Sequence, residues 1–227
     1  MRALAGALGF FSTLPVGRDE RSFEALRRNL WILPVVGLIL GTMMSAMSYL
    51  FYLTRFPYMA VLSYLALEGI NHVDALADFG DALFAPKDRK LKALKDLNTG
   101  VGGTTVVVVY LLGLAMDFER RVSPMTIIDA QIMAKFGMLI MLTTTEPLWD
   151  GMGAYMMEFA GLRDLIVGLA FVLAITFLTR YFVVNAIAIV ICFVYRFYVL
   201  KTFGGVNGDL IGALNCITFL LVMTIGN

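Results

Sequence analysis

Long apolar runs separated by short polar interruptions dominate this chain. About seven apolar segments can be drawn, at roughly 31–53, 57–73, 101–118, 125–145, 164–179, 181–199 and 210–226. A straight crossing of a bilayer core takes about 20 residues, so the shorter runs imply tilt, continuation into flanking polar residues, or re-entrant geometry. The stretch 164–199 is too long for one crossing, and Arg180 near its middle is the expected hairpin tip. The pattern predicts an all-α fold, a polytopic transmembrane helical bundle of about seven spans.

Two regions break this rhythm. The first 28 residues begin with a small, apolar stretch, Met1 to Leu14, that stops at Pro15-Val16-Gly17 and passes into a basic segment. That reads as an amphipathic helix lying in or partly inserted into the interface, rather than as a cleaved leader. The second region, 74–100, is a polar element between the second and third spans. Pro86 is expected to end its first helix, and a short amphipathic stretch from Asp88 to Leu97 to follow. No internal repeat or separate soluble unit is visible, so residues 1–227 read as one integral membrane domain with 74–100 as its active-site region.

Composition sharpens this picture. With 59% hydrophobic residues, 15% charged residues and a mean hydropathy of +0.81, the chain lies far from soluble averages. A formal net charge of +1 carries no nucleic-acid footprint. Cys192 and Cys216 lack paired spacing and read as buried free thiols. Basic residues concentrate in cytoplasmic loops of membrane proteins. With the N-terminus cytoplasmic, Arg2, Arg18, Arg21, Arg27, Arg28, Lys87, Arg89, Lys90, Lys92, Lys95, Arg163 and Lys201 fall inside; Arg55, Arg120, Arg121 and Arg180 fall outside. The expected location is therefore the cell membrane, with the polar 74–100 region and the Gly204–Asp209 loop on its cytoplasmic face.

The most informative segment is Asn71-His72-Val73-Asp74-Ala75-Leu76-Ala77-Asp78-Phe79-Gly80-Asp81. If it is helical, Asp74, Asp78 and Asp81 fall at i, i+4 and i+7 on one face, and Asn71 shares their arc. Like charges so placed need a cation, basic side chains or water. One reading is a Mg²⁺ site, because Mg²⁺ takes oxygen ligands and usually combines one or two carboxylates with substrate phosphates. The other is a solvated acidic face paired with Lys87, Arg89 and Lys90. His72 is the single histidine. In a continuous helix it points about 200° away from Asp74, so it serves either as a structural residue or, if the helix starts after it, as a proton acceptor at the site's mouth. Glu68 is a further carboxylate, ranked below the aspartates.

Three loops are candidates to join this segment. The basic run from Lys87 to Asp96 can hold anionic lipid, neutralise the aspartates or attract a polyphosphate. After it, Asn98-Thr99-Gly100-Val101-Gly102-Gly103-Thr104 opens an apolar helix and is suited to presenting backbone N–H groups to a phosphate; glycine packing of helices is the alternative. Gly204-Gly205-Val206-Asn207-Gly208-Asp209 opens the last span, with Asp209 as the expected N-cap or as an extra ligand or base. Glu146 to Gly153 is a weaker third loop.

Three of these blocks together resemble the integral-membrane cobalamin synthases, the adenosylcobinamide-GDP ribazoletransferases. His72-Val73-Asp74-Ala75-Leu76-Ala77-Asp78-Phe79-Gly80-Asp81 is similar to their His-x-Asp-Gly-Leu-x-Asp-x-x-Asp pattern, with Ala75 where glycine is frequent. Lys95-Asp96 with the following glycine turn, Gly204-Gly205-Val206-Asn207-Gly208-Asp209, and Phe10-Phe11-Ser12-Thr13-Leu14-Pro15 with Leu33-Pro34-Val35-Val36-Gly37 extend the likeness over nearly the whole chain.

The resemblance implies a Mg²⁺-dependent transferase of late vitamin B12 assembly. Its partners would be adenosylcobinamide-GDP, α-ribazole or its 5′-phosphate, and the lipid bilayer; homo-oligomerisation stays open. It implies Asp74, Asp78 and Asp81 for metal and catalysis, with His72 or a free carboxylate taking the proton. Asn71, Lys95, Asp96, Gly100, Gly102, Gly103, Asn207 and Asp209 would bind substrate. A CDP-alcohol-type phosphotransferase is the rival enzyme, disfavoured by the lack of Arg after Ala77. A cation transporter or channel using the aspartates is the rival of another class, with Asp129 as the one other acidic residue placed well inside a span.

Overall fold

The computed structural model describes residues 1–226. Twelve α-helices account for the architecture of the described residues. The first two, α1 (Arg2–Phe11) and α2 (Glu20–Arg27), form a hairpin in which Gly6 lies so close to α2 that a Cβ there would sit 2.2 Å from the Ser22 carbonyl oxygen. At 10 residues α1 is about 15 Å long, too short to cross a bilayer. Asp19 caps α2 by accepting from the Ser22 N–H at 3.0 Å.

Among the described residues, six helices are long and apolar enough to cross a membrane. They are α3 (Leu33–Leu53, entered through a 3-10 turn at Leu30–Ile32), α7 (Val101–Glu119), α8 (Pro124–Thr144), α10 (Leu162–Thr179), α11 (Phe182–Phe203) and α12 (Gly208–Ile225). The remaining expected span, 57–73, differs from the sequence expectation. It is a 3-10 turn at Pro57–Ala60, then α4 (Val61–Glu68), a break at Gly69 with φ +75°, and α5 (Asn71–Phe84) in a new direction. Only glycine enters that left-handed region without a steric cost, so the chain breaks there although its apolar pattern continues. Carbonyls at the end of α4 are recovered by Thr13: its N–H donates to the Leu67 oxygen at 2.8 Å and its hydroxyl to the Ala66 oxygen at 2.5 Å. The opening Ser12-Thr13-Leu14-Pro15 motif is thus a clasp on the broken segment.

Other boundaries follow the sequence. α5 stops before Pro86, with Ala85 extended. The Asp88–Leu97 stretch gives only a 3-10 turn at Lys87–Arg89 and the four residues of α6 (Lys90–Ala93). Arg180 forms the tip between α10 and α11 in the left-handed conformation. Arg55 and Arg121 adopt the same conformation after α3 and α7, where a cation also complements the helix C-terminus. Both cysteines are buried and free.

Hydrogen bonds and ring contacts sort the helix ends into two sets. Trp31, ahead of α3, donates its N–H to Asp164 at the start of α10. The Arg196 side chain on α11 bonds Thr144 at the end of α8, and the loop after α8 pairs with the loop before α12. At the opposite end, Arg121 lies over the Tyr52 ring, Thr224 of α12 donates to Asp117 of α7, and Thr126 of α8 donates to the Gly226 carbonyl. α3, α7, α10 and α12 therefore run from the first end to the opposite one and α8 and α11 run back, with α4 and α5 making the return between α3 and α7; the loops with candidate chemistry share the first end.

The centre of the bundle is α8, buried along nearly its whole length. Gly37 and Gly41 let α3 approach it closely: a Cβ at Gly37 would lie 2.5 Å from the Gln131 carbonyl oxygen, and one at Gly41 2.7 Å from the Ile128 Cα. Two buried polar clusters sit in this apolar interior: Asn185 donates to Asp129 and Thr176, and a larger knot centres on Lys135. Lys135 of α8, fully buried, donates to Glu68 Oε1 at 2.7 Å and to Asn215 Oδ1 on α12 at 2.9 Å; Asn215 Nδ2 donates to Glu68 Oε2 at 3.1 Å. The knot ties the end of α4 to two spanning helices.

Removing one member of a buried ion pair leaves an uncompensated charge and costs about 3–5 kcal/mol. Lys135→Met is expected to lower the thermal midpoint of the protein in detergent sharply, and Lys135→Met combined with Glu68→Gln to recover much of the loss. A thermal-unfolding double-mutant cycle checks this.

Candidate active site

Helix α5 carries two faces with different chemistry. Asp74, Asp78 and Asp81 lie along one, with Asp74 exposed and the other two half-buried. His72, Ala75 and Phe79 lie on the other and are buried. The helix begins at Asn71, so His72 is inside it and points away from Asp74, as a continuous helix requires.

Asp81 is committed to an unexpected partner. Its carboxylate accepts from the Gly100 N–H at 2.6 Å and the Gly103 N–H at 2.8 Å, capping the start of α7. These are the N–H groups the sequence offers to a substrate phosphate, and here Asp81 occupies them. Close packing makes the cap reachable. A Cβ at Gly80 would be 3.0 Å from the Gly103 Cα, and one at Gly103 would be 2.6 Å from the Ala77 carbonyl oxygen. Gly102 also sits against Asp81, with 3.1 Å between an added Cβ and Oδ1. Helix packing and phosphate-type anion binding, the two readings of this glycine turn, are thus combined within the protein itself.

Asp74 and Asp78 have no such partner. No Lys or Arg forms an ion pair with Asp74, Asp78, Asp81 or Asp209 among the described residues. The expected neutralisers turn elsewhere. Lys90 Nζ caps the end of α5 through the Ala82 and Leu83 carbonyls at 3.0 and 2.6 Å, and Arg89 reaches only Asp88. α5 is not one of the six spanning helices, and Asp78 has a carboxyl pKa raised to about 7. Burial is the main cause, followed by the negative charges of Asp209, Asp74 and Asp81.

Asp209 joins this group from α12. It was the expected cap of that helix, but Asn207 caps it, accepting from the Leu210 N–H at 3.1 Å. Asp209 falls in the first turn, where its Oδ2 accepts from Asn207 Nδ2 at 2.6 Å. One oxygen remains without a protein partner. No three His, Cys, Asp or Glu side chains converge as a ready-made metal cage among the described residues. Oxygen donors lacking a counter-charge nevertheless fit Mg²⁺, which normally takes one or two carboxylates and completes its shell with water and phosphate oxygens.

The opposite face of α5 lines a cleft of ≈ 350 Å³. Asn71, His72 and Asp209 supply polar groups, Glu68 lies at its base, and α1, α8 and α9 (Met152–Met157) supply apolar walls. His72 Nδ1 lies 2.9 Å from Glu68 Oε2, which places the imidazole against the polar knot without a hydrogen bond to it. Phe11 faces the His72 ring at 6.4 Å with the planes 10° apart. The Ala75 methyl faces Gly212 on α12, where an added Cβ would be only 2.7 Å away. The close approach that a glycine at 75 would permit is supplied from the other helix.

The loops converge as the sequence suggested, and the one ranked third matters most for shape. Leu148 N–H donates to the Val206 oxygen at 2.7 Å and Val206 N–H to the Glu146 oxygen at 2.9 Å. Gly153 packs on Gly208, and Lys95 stands 4.3 Å from the Trp149 ring centroid. Asp96 stays apart: it is exposed, and its Oδ1 accepts from the backbone and side-chain nitrogens of Asn98 within its own turn. Lys135 and Asn215 escaped sequence reasoning; the only local signal was a lysine inside an apolar span, and its partner lies 67 positions away.

Comparison with known proteins now bears on this geometry. The family described as cobalamin-5-phosphate synthase matches residues 3–226. The chain belongs to that family. Similar relatives include two adenosylcobinamide-GDP ribazoletransferases of Archaeoglobus fulgidus, 45% identical over 95% of this chain and 92% of the relative, and 42% over 96% and 94%. One from Pyrococcus abyssi is 37% identical over 93% of this chain and 91% of its own. No solved structure matches. As a cobalamin-5-phosphate synthase family member the chain is a membrane transferase.

Two outcomes follow for the carboxylates. Losing a side-chain cap costs about 0.5–2 kcal/mol, so Asp81→Ala is expected to lower the thermal midpoint while Asp74→Ala leaves it nearly unchanged, as read by thermal unfolding in detergent. For Asp78, the folded pKa of about 7 lies above the ordinary carboxylate value of 3.8. The folded state then holds a proton that the unfolded state has released, so this group's contribution becomes less favourable as pH rises from about 4 to about 7. Metal-free Asp78→Asn is expected to lose that part of the pH dependence and to match or exceed the parent's midpoint at neutral pH, in thermal scans across that range.

Proposed function

We propose that the protein joins adenosylcobinamide-GDP to α-ribazole, or to its 5′-phosphate, releasing GMP in a Mg²⁺-dependent transfer near the end of cobalamin assembly. The reading rests on family membership and on one structural observation: Asp74 and Asp78 have no basic or capping partner among the described residues, and Asp209 of α12 adds its charge beside Asp78 at the end where the candidate loops meet.

In the transfer, a ribose hydroxyl oxygen of the acceptor attacks the phosphorus attached to the cobinamide arm. A new P–O bond forms, the P–O bond to the guanylate phosphate breaks, and GMP leaves. The hydroxyl proton passes to a base. Asp74, Asp78 and Asp209 would hold Mg²⁺, which supplies electrostatic stabilisation of the phosphoryl oxygens. The chain's own contribution is positioning. Lys95, stacked on Trp149, presents a positive charge beside the same loops and suits a nucleotide phosphate. His72, which lines the cleft flanking α5, is the candidate for taking the proton. Asp81 acts through α7, holding Gly100 and Gly103 in place rather than touching the reacting atoms. The bias of basic residues toward this end supports its assignment to the cytoplasm.

Detergent-purified protein given adenosylcobinamide-GDP and α-ribazole is expected to release GMP only with Mg²⁺ present. Asp78→Asn is expected to abolish that release while the protein remains folded. No turnover by the parent protein, or full activity in well-folded Asp78→Asn, contradicts the reading.

A further inference from the structure

The reaction brings together substrates of very different size, and the protein offers clefts of limited volume. Of the two that flank α5, the ≈ 350 Å³ cleft lies on the His72 side and one of ≈ 310 Å³ lies on the Asp74 side. Small-ligand pockets run from about 300 to 1,000 Å³, so the His72 cleft is of a size that suits a single nucleoside.

Its lining is divided by chemistry. Phe10 and Phe11 from α1 form one wall, Met138 and Leu142 from α8 another, and Met152 and Met156 from α9 a third. Polar groups gather along α5 and the entrance to α12, where His72, Asn71 and Asp209 face the cavity. Glu68 is at the base, but both its oxygens are taken by Lys135 and Asn215. The apolar walls therefore offer no hydrogen-bond partner to a heterocycle edge. A guanine placed there would leave its amide and amino groups unsatisfied, at a cost of about 1–3 kcal/mol per group. A methylated benzimidazole has no such donors, and methionine and phenylalanine suit a flat, polarisable ring.

We infer that the cleft walled by α1, α8 and α9 is the acceptor subsite: the benzimidazole-type base lies among Phe11, Met138, Leu142 and Met156, and its ribose faces His72 and Asp209. This rests on the proposed reaction and deepens it, since it assigns the acceptor to the His72 side of α5, with Asp209 joining that cleft to the Asp74–Asp78 carboxylates where the reacting atoms would meet. The guanylate and pyrophosphate fall on the Asp74–Asp78 face beside Thr99 and Thr104, which line the more open second cleft. Recognition of the base by shape and apolar contact alone also means that bases of similar size and polarity are accepted, whereas one carrying a hydrogen-bonding edge is rejected.

The test compares steady-state kinetics for the two substrates in separate titrations. Leu142→Phe narrows the cleft and Met156→Ala widens it, and both variants are first checked for an unchanged elution profile and thermal midpoint within a few degrees of the parent. Both are expected to raise KM for α-ribazole about tenfold while KM for adenosylcobinamide-GDP stays within twofold. Met156→Ala is further expected to reduce the parent's preference for α-ribazole over an analogue with a bulkier apolar base. If Leu142→Phe does not fold, Met156→Ala alone decides. An unchanged KM for α-ribazole in a folded variant, or a rise confined to adenosylcobinamide-GDP, overturns the assignment while leaving the reaction intact. A parent protein that releases no GMP overturns the reaction itself.

Discussion

Uncompensated negative charge at the edge of an apolar bundle is the constraint around which this protein is built. Charges so placed are costly unless something offsets them, and the protein's own cations are directed elsewhere. Lys90 goes to the end of α5, Lys95 to an indole ring, and Lys135 to Glu68. Asp81 is satisfied by backbone N–H groups. What remains is Asp78, whose burial, together with the charges of Asp209, Asp74 and Asp81, raises its pKa to about 7. A neutral or fully paired face would be easier to fold, and this uncompensated charge is what supports the proposed cation and phosphate-bearing substrate.

Holding such a face requires rigid support, and the break at Gly69 supplies the geometry. Had 57–73 continued as one straight crossing, the aspartates would have followed the direction of that span. The break lets α5 turn and lie against both α7 and α12, through Gly80–Gly103 on one side and Ala75–Gly212 on the other. Thr13 closes the open end of α4, and the Glu68–Lys135–Asn215 knot anchors it to α8 and α12. The cost of burying that ion pair is not evidently a gain in stability over a hydrophobic replacement. Its consequence here is positional: Glu68 and His72 straddle the break, and their contact at 2.9 Å carries the fixed position of one helix into the next.

Much of this was legible in the chain. The 3.6-residue period placed three aspartates on one face, Pro86 marked the end of their helix, and Arg180 marked a hairpin, because each is a local property of backbone or side-chain direction. The break at Gly69 was not legible, since glycine is common in membrane helices and the apolar pattern runs through it. Asp209 and Asn207 are both good caps by propensity, and only the packed geometry selects Asn207 and leaves Asp209 available. The partnership of Asp81 with the Gly100–Gly103 turn and that of Glu68 with Lys135 are long-range. Each half is visible as an anomaly, a carboxylate or a lysine where neither is cheap, but spacing along the chain does not say which anomalies pair.

The claim that α5 and α12 present a divalent-cation site can be read without following turnover. Mn²⁺ is a spectroscopically visible stand-in for Mg²⁺, and its free concentration in detergent solution falls when protein takes it up. Titrated with Mn²⁺ in the presence of adenosylcobinamide-GDP and followed by electron paramagnetic resonance, the parent protein is predicted to show saturable uptake that Mg²⁺ displaces. Asp78→Asn is predicted to lose it and Asp81→Asn to retain it. Uptake that survives Asp78→Asn unchanged, or is absent from the parent altogether, would contradict the account.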